Sequence, residues 1–407
     1  MEYDVIVVGA RCAGSSLAML LARDGARVLL VDRARFPSDT FNGHYIHAAG
    51  VRSLERWGLL DRVMAPGSAR PVRSVRMDFA GTLQFAGRPG WPDGQPAFGL
   101  APRRHRLDAL LVEAAAEAGA EVRQAFCVDD LVWDGERVVG IRGRDAGGLP
   151  VEERAEIVVG ADGLRSMVAA RVEAGAYETI PALTCAYYSH WADMPTDELS
   201  VWLRPGQWVI TFPTDAGLTC VAVGWRHSEF ARVRSNVEAE FLAALEIAPE
   251  VSERVRNGRR VEPLRGSPDL PMYLRVPSGS GWALVGDAGC RVDPITGEGI
   301  TDAFRDAGLL AEAIGQGLGG ARPLDEALGD YQRRRDLAVL PVYRYTADRA
   351  RLQPLSPDQT ALLSAIAQDQ TAADLFVGLT AGTTSFADFF APEHIGALVG
   401  RPADRAA

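Results

Sequence analysis

Lysine is absent: all 43 basic residues of this 407-residue chain are arginine. That excludes Schiff-base catalysis on a lysine amine, and with it pyridoxal-phosphate chemistry. Long apolar runs are missing too. No stretch approaches the ~20 residues that a helical membrane span needs. The run from Val5 to Val8 is only strand-length, and Glu2 and Asp4 stand before it where a signal peptide carries cations. Cysteine is scarce and odd in number, five residues that never form CxxC (Cys12, Cys127, Cys185, Cys220 and Cys290). Such usage argues for reduced thiols and against a disulfide framework or a metal site. Positive charge is in deficit, with a net charge of -10, which argues against a nucleic-acid partner. There is no internal repeat and no long low-complexity linker. A cytoplasmic globular protein is expected, monomeric or homodimeric, with no membrane span.

What is present is ordinary in bulk, 47% hydrophobic and 24% charged, and long enough for two domains or one composite domain. Tyr3 to Gly9 (YDVIVVG) suits a buried parallel strand. Gly9-Ala10-Arg11-Cys12-Ala13-Gly14 follows, then a helical pattern from Ser15 to Asp24, a stop at Gly25 and a second strand, Ala26 to Asp32. This is the βαβ context in which GxGxxG means a dinucleotide site, with Asp32 placed for ribose hydroxyls. Arg11 occupies the middle-glycine position. It is either a phosphate partner or a group that points toward the ring side of the site. The bland alternative is a strand-turn-helix whose glycines serve packing alone.

Two further strand-turn-helix signals follow. Ala155 to Arg171 reads as a buried strand ending at Gly160, an Asp162-Gly163 turn and a helix begun by Ser166. Trp282 to Ala313 reads as a short strand, Gly286-Asp287, a bend at Pro294, and a Gly-Glu-Gly turn opening a helix. Asp287 at a strand end suits the hydroxyls of a polyol. Gly297 and Gly299 allow backbone to approach a flat ring, and the helix N-terminus favours negative charge there.

Between these lie a loop from Arg33 to Phe41, and Asn42 to His47 leading into a helix from Ala48 to Trp57. His44 and His47 either touch ligand or sit solvated on a surface turn. Val72 to Phe85 reads as a strand pair, 87–99 as loop, Arg104 to Glu117 as an amphipathic helix, Glu121 to Val128 as a strand and Val132 to Arg142 as a hairpin. Tyr177 to Trp225 alternates aromatic and β-branched residues, as an antiparallel sheet over a pocket would. Tyr187, Tyr188, His190, Trp191, Trp202 and Trp208 are its candidate lining, each equally able to be plain core. Glu229 to Glu246 and Ala248 to Val255 look helical, and a proline-punctuated return follows from Pro263 to Pro277. Leu324 to Ala350 reads as one long helix. Ala361 to Ala373 and the SFADFF tail are expected to pack on the cofactor domain or form a dimer contact.

The three motifs, in this order, resemble those of the FAD-dependent monooxygenases with the aromatic-hydroxylase (p-hydroxybenzoate hydroxylase-like) fold. That superfamily includes epoxidases, geranylgeranyl reductases and flavin-dependent halogenases. The resemblance implies an α/β fold in which a Rossmann-like FAD-binding domain (1–70, 102–175 and 280–350) is interleaved with an antiparallel β-sheet substrate domain (71–101 and 176–279), followed by C-terminal helices (351–407). It implies FAD contacts from Gly9, Arg11, Cys12, Ala13, Gly14, Asp32, Arg33, Arg104, Val128, Asp162, Gly163, Asp287, Pro294, Gly297, Gly299 and Ile300. Ala169 stands where the family often has a basic residue.

The implied reaction is oxygen transfer from a C4a-hydroperoxyflavin to an aromatic, polycyclic or polyene small molecule by hydroxylation or epoxidation. Only one nucleotide-binding βαβ start is present. NAD(P)H would therefore visit the FAD transiently, or a separate flavin reductase would supply reduced flavin. The chemistry demands no obligatory side-chain acid or base; His44, His47 and Tyr188 are the candidates. An alkene reductase of the geranylgeranyl type is the alternative: Trp208 to Pro213 (WVITFP) is similar to a stretch of those enzymes, although Thr214 stands where they tend to carry lysine. The related halogenases use a lysine that this chain lacks, and their paired-Trp motif is absent. A non-catalytic flavin-binding protein is a third class.

Overall fold

The computed structural model describes residues 2–40, 43–65 and 67–400. Phe41 and Asn42, at the end of the loop expected after the second strand, lie outside the described residues.

Three sheets organise the chain. In the first, Tyr3–Val8 lies between Val28–Asp32 and Pro150–Gly160, all parallel. Trp282–Leu284 extends the sheet on one side and Glu121–Gln124 on the other, again parallel. The central strands carry side chains buried on both faces (Val5, Ile6 and Val7 are fully enclosed), which is why they read as unbroken apolar runs rather than as alternation. Helices Cys12–Arg23, Arg104–Glu117 and Gly299–Leu318 cover one face and share a core with the strands. The hairpin Cys127–Asp134 and Arg137–Arg144 folds onto the front half of the long strand Pro150–Gly160.

The second sheet runs in the order Arg259–Arg260, Thr184–Ala192, Thr219–Arg226, Gln207–Pro213, Leu199–Arg204, Val75–Phe79, Leu83–Gly87. It is antiparallel except where Leu199–Arg204 meets Val75–Phe79. Arg265–Ser267 adds to the Thr184–Ala192 strand. Period-two alternation sends its residues to two different cores. Cys185, Trp191, Trp202 and Trp225 pack under helices Phe230–Ser235, Val237–Ala244 and Pro249–Asn257. Trp208, Ile210, Phe212 and Cys220 face Tyr45 and Ile295 on the other side, with Tyr188 against them. So of the six aromatic candidates, Trp191 and Trp202 are core beneath the helices with Tyr187 packed against them, while Tyr188 and Trp208 take the opposite face.

Several expectations are corrected. The helix expected from 229 to 246 is broken at Asn236, whose backbone leaves the helical region (φ -153°, ψ 69°) and whose side chain accepts from the Ala239 N–H at 3.4 Å, starting a new helix. The helix expected from 361 to 373 is two, Pro357–Ala367 and Gln370–Ala381, with Asp369 capping the second. Neither packs chiefly on the parallel sheet. Leu363, Ile366, Phe376 and Val377 close instead over Phe79 and Phe85 of the second sheet's edge hairpin, covering an edge that would otherwise invite strand pairing. The proline-punctuated return contains a strand, Met272–Arg275, which joins Ala176–Ile180 and Cys290–Arg291 in a small third sheet. Leu324–Ala350 forms the single helix expected.

Candidate functional site

The three strand-turn-helix motifs converge at the C-terminal ends of the parallel strands. Gly9 (φ 105°) sits so close to the third strand's exit that a Cβ there would lie 2.4 Å from the Ala161 carbonyl oxygen. A Cβ on Gly14 would lie 1.8 Å from the Gly9 carbonyl oxygen. Both glycines are needed for this close packing. Gly286 (φ 62°) rests on the first turn of helix Cys12–Arg23, its Cβ position 2.8 Å from the Ala13 Cβ. Gly163 and Gly299 are different: nothing lies within 4 Å of a Cβ at either. These two present open backbone.

Asp32 ends its strand with both carboxylate oxygens engaged, accepting from the Ala10 N–H and the Ala34 N–H at 2.7 Å each. The Phe126 N–H donates to the Asp32 carbonyl at 2.9 Å, which brings the strand carrying Val128 alongside. Arg33 is exposed. Asp162 accepts from the Met167 and Val168 N–H groups at 2.6 and 3.2 Å and so starts the helix Met167–Arg171. Its other oxygen, Oδ1, is buried without a partner among the described residues. Burial pushes its carboxyl up.

Arg11 does not extend alone into the cleft. Its guanidinium is held by Asp108 at 2.5 Å, by Ser38 Oγ at 3.2 Å and by the Asp39 carbonyl at 3.4 Å. Asp108, fully enclosed, also takes the Arg104 guanidinium at 3.0 to 3.1 Å and the Cys12 Sγ at 3.4 Å. Burial pushes the Cys12 thiol up to about 12, so it is no nucleophile. Arg104 is buried, and the Asp287 carboxylate adds to the field that keeps it charged.

After Asp287 the chain passes through the short strand Cys290–Arg291 and then a tight turn, Pro294–Thr296, ended by Gly297 in left-handed conformation (φ 73°). Asp293 caps it, accepting from the Ile295 N–H at 3.0 Å and from the Thr184 hydroxyl at 2.6 Å. That second bond ties the loop to the second sheet. The 20-residue helix Gly299–Leu318 then begins with no side-chain cap, as does helix Cys12–Arg23. Two uncapped N-termini therefore offer their first N–H groups to the same cleft, with Ile300 buried beneath.

His44 and His47 are both buried, at 1% and 5% exposure, so neither is a solvated surface imidazole. His47 is absorbed by the loop: its Nε2 lies 2.7 Å from the Thr296 carbonyl, and its backbone N–H donates to the Thr301 hydroxyl at 3.0 Å. Burial lowers it to about 4. His44 reaches the second sheet, edge-on to Tyr188 and to His190 with ring centroids 5.7 and 5.3 Å away. Neither ring nitrogen of His44 has a hydrogen-bond partner among the described residues, nor has Trp208 Nε1. Burial, followed by His190 and Arg104, holds His44 well below its ordinary value. Each buried polar group left unpaired costs ~1–3 kcal/mol.

His190 had been one candidate among the sheet aromatics, and Arg103 and Glu262 had not been singled out. They adjoin His44: the Arg103 guanidinium bonds Glu262, and Glu262 Oε2 lies 3.4 Å from His190 Nδ1. The "RRH" sequence at 103–105 and the lone buried-strand histidine were the available signals. Two surface depressions lie outside this cleft, of about 430 Å3 beside Leu164, Ser166 and Arg275 and about 320 Å3 beside Phe79, Arg349 and Leu352.

A family model described as FAD binding domain matches residues 2–262. The chain belongs to this family. The flavoprotein is 31% identical over 338 residues to the digeranylgeranylglycerophospholipid reductase of Methanosarcina mazei, covering 78% of this chain and 77% of that one. It is 26% identical over 344 residues to the tryptophan 2-halogenase of Chondromyces crocatus, covering 81% and 64%. Its fold is that of the myxobacterial chondrochloren halogenase CndH (TM-score 0.79, 23% identity, 98% and 95% covered) and of PqsL from Pseudomonas aeruginosa, described as a probable FAD-dependent monooxygenase (TM-score 0.70, 22%, 91% and 98%). The chain is thus a flavoprotein of an FAD-dependent oxidoreductase family with the fold expected. Among the described residues no helix is long and apolar enough to cross a membrane. The cleft fits FAD: open backbone at Gly163 and Gly299, two uncapped helix N-termini, and the carboxylates of Asp32 and Asp287 at strand ends.

Proposed function

We propose that this flavoprotein is a monooxygenase that hydroxylates or epoxidises a polar aromatic or polycyclic small molecule, with electrons from NAD(P)H taken directly or through a separate flavin reductase. The observation that supports the reading is the set of buried, unpaired nitrogens of His44, His190 and Trp208 around the face of the second sheet that meets Tyr45 and Ile295. A hydrocarbon chain would leave all of them unsatisfied.

In this reading residues 1–70, 102–175 and 280–350 bind FAD. The sheet segments 71–101 and 176–279 close over the substrate, and 351–407 brace the sheet's edge. Gly9, Cys12, Ala13 and Gly14 bring helix Cys12–Arg23 to the pyrophosphate. Asp32, Arg33 and Val128 border the adenosine, Asp162 and Gly163 the pyrophosphate, and Asp287 the ribityl hydroxyls. Pro294, Gly297, Gly299 and Ile300 shape the backbone under the ring, and Arg104 with Arg11 braces the cleft through Asp108. Bound FAD supplies the two-electron reduction and the activation of oxygen. The chain's own tasks are to orient, to exclude water and to hold developing charge with backbone N–H groups at the Gly299 helix N-terminus. His47 positions the Thr296 carbonyl; His44 and Tyr188 face the substrate.

The test is NAD(P)H oxidation by the FAD-loaded protein with a panel of phenols and polycyclic aromatics, with product analysis. Coupled consumption with one added oxygen per product supports the reading; consumption that no panel member alters counts against it. A second reading, an alkene reductase, is favoured by the 31% identity to the Methanosarcina mazei enzyme. Reoxidation of the flavin by a prenyl alkene under nitrogen would establish it. Lysine-dependent halogenation is not proposed, since the chain has no lysine.

A further inference from the structure

We propose that the depression of about 320 Å3 beside Phe79, Arg349 and Leu352 is a second ligand site, for a small carboxylic acid with an apolar body. It stands apart from the cofactor cleft and does not depend on which reaction the flavin performs. Four pieces of chain meet there. They are the turn of the edge hairpin at Ala80 to Leu83, the end of strand Leu199–Arg204, the last turn of helix Leu324–Ala350, and the start of helix Pro357–Ala367 with the loop before it. Small-molecule pockets run from ~300 to ~1,000 Å3, so this one suits a single ring or a short chain.

The walls use strained backbone. Leu352 follows the C-terminus of helix Leu324–Ala350 in the left-handed region (φ 50°), where glycine is the usual residue. Its carbonyl accepts from the Gly206 N–H at 2.9 Å and from the Arg226 guanidinium at 2.6 Å, which fixes it there. Ala80, in the hairpin turn, is also left-handed (φ 55°), and its N–H donates to the Leu203 carbonyl at 3.1 Å. Two of the six non-glycine residues with positive φ among the described residues therefore line one small pocket. Such strain persists where the surroundings over-determine it, and it gathers at ligand clamps.

The charges choose the ligand. Arg204 is engaged, donating to the Asp78 carboxylate at 2.8 Å and to the Asp78, Leu203 and Ile247 carbonyls at 2.9 to 3.2 Å. Arg349 is not. Its guanidinium carbon lies 6.0 Å from the centre of the Phe79 ring and 5.4 Å from that of Tyr345, so the group is held in place before any ligand arrives. Nη2 bonds Asp348 at 3.0 Å, a half-exposed carboxylate that also takes the Gln359 amide at 3.2 Å. Nη1 donates to none of the described residues. A pair so exposed is weak and screened. An entering carboxylate takes a charge-assisted hydrogen bond from Nη1 while Asp348 keeps Nη2. Phe79, Leu83, Leu203, Pro205 and Leu355 enclose its apolar part.

The experiment uses the FAD-loaded full chain and para-fluorobenzoate, followed by fluorine NMR, with para-fluorobenzamide as the uncharged counterpart. The acid is expected to bind saturably, the amide roughly tenfold or more weaker, and the flavin absorption spectrum to stay unchanged. Arg349→Gln removes the charge and is expected to weaken the acid by roughly tenfold or more. Gln353→Trp fills the mouth from an exposed position, and is expected to block the acid while leaving Arg349 and the bound FAD in place. No saturable binding, equal binding of the amide, or acid binding unchanged in Gln353→Trp or in a folded Arg349→Gln would each overturn the inference. So would a flavin spectrum perturbed by the acid, which puts it in the cleft.

Discussion

Asp108 stands between two arginines, and replacing it with asparagine exposes how much the cleft depends on it. Its side chain is fully enclosed, Arg104 is 5% exposed at its side chain and Arg11 27%. Asp108→Asn keeps the shape and one acceptor but leaves the Arg104 guanidinium buried without its counter-charge. Breaking a buried pair from one side costs ~3–5 kcal/mol, and the retained amide oxygen places this change near ~3 kcal/mol. That is about two orders of magnitude in the unfolding constant. Arg11→Ala is different, because Asp108 keeps Arg104 and the lost partner is part-exposed; ~1 kcal/mol or less is expected. The double variant decides the mechanism. With Asp108 neutral, Arg11 and Arg104 only repel, so Arg11→Ala in the Asp108→Asn background should be neutral or stabilising, a coupling of ~1 kcal/mol or more. Denaturant midpoints by tryptophan fluorescence, at one fixed excess of FAD, measure all four proteins. Asp108→Asn within ~1 kcal/mol of wild type, or strictly additive changes, would refute the reasoning.

Gly14→Ala and Gly299→Ala should separate packing from cofactor contact. The first puts a Cβ 1.8 Å from the Gly9 carbonyl and should destabilise the apoprotein, by ~1–3 kcal/mol. The second meets nothing within 4 Å, so it should leave apoprotein stability intact while lowering FAD retention, read by flavin fluorescence. Phe376→Ala, in the aromatic cluster with Phe79 and Phe85, should cost ~3–5 kcal/mol with FAD content unchanged in the folded fraction. His47 and His190 are lowered to about 4 from 6.5, so the folded state takes up fewer protons than the unfolded one. Their stabilising contribution is present above 6.5 and is lost as pH falls toward 4. Asp293 is raised to about 6 from 3.8 and has the opposite sign: its contribution is full below 3.8 and is lost as pH rises through 6. Asp293→Asn should therefore steepen the loss of stability on acidification between these values, measured by denaturant midpoints, and an unchanged slope would contradict the assignment.

The parallel sheet and its three turns were legible because each is a local event. An apolar run, a glycine that must approach a carbonyl, and a helix start all lie within a few residues of one another, as at Gly9 to Gly14 and Gly286 to Gly299. The helix Leu324–Ala350 was legible for the same reason. The partnerships across the cleft were not. Arg11 meets Asp108 across 97 residues, and nothing in the fingerprint says that its side chain folds toward the Arg104–Glu117 helix. Alternation in Thr184–Ala192 shows two faces but does not say which meets the cofactor side; only the packing of Trp191 on Phe241 and of Tyr188 beside His44 decides it. The short strands of the third sheet escaped notice because two to five residues hold too little pattern. The turns themselves were thus readable locally, whereas the groups that meet across the cleft are brought together by sheet register and packing.

A single-turnover experiment tests the central claim most directly. The FAD-loaded protein, reduced under nitrogen, is mixed with isotope-labelled oxygen gas and a hydroxyl-bearing aromatic compound, and the product is analysed by mass spectrometry. The account predicts one labelled oxygen in the product, absent without the protein. Unlabelled compound throughout, with a prenyl alkene reoxidising the flavin before any oxygen is admitted, would contradict it.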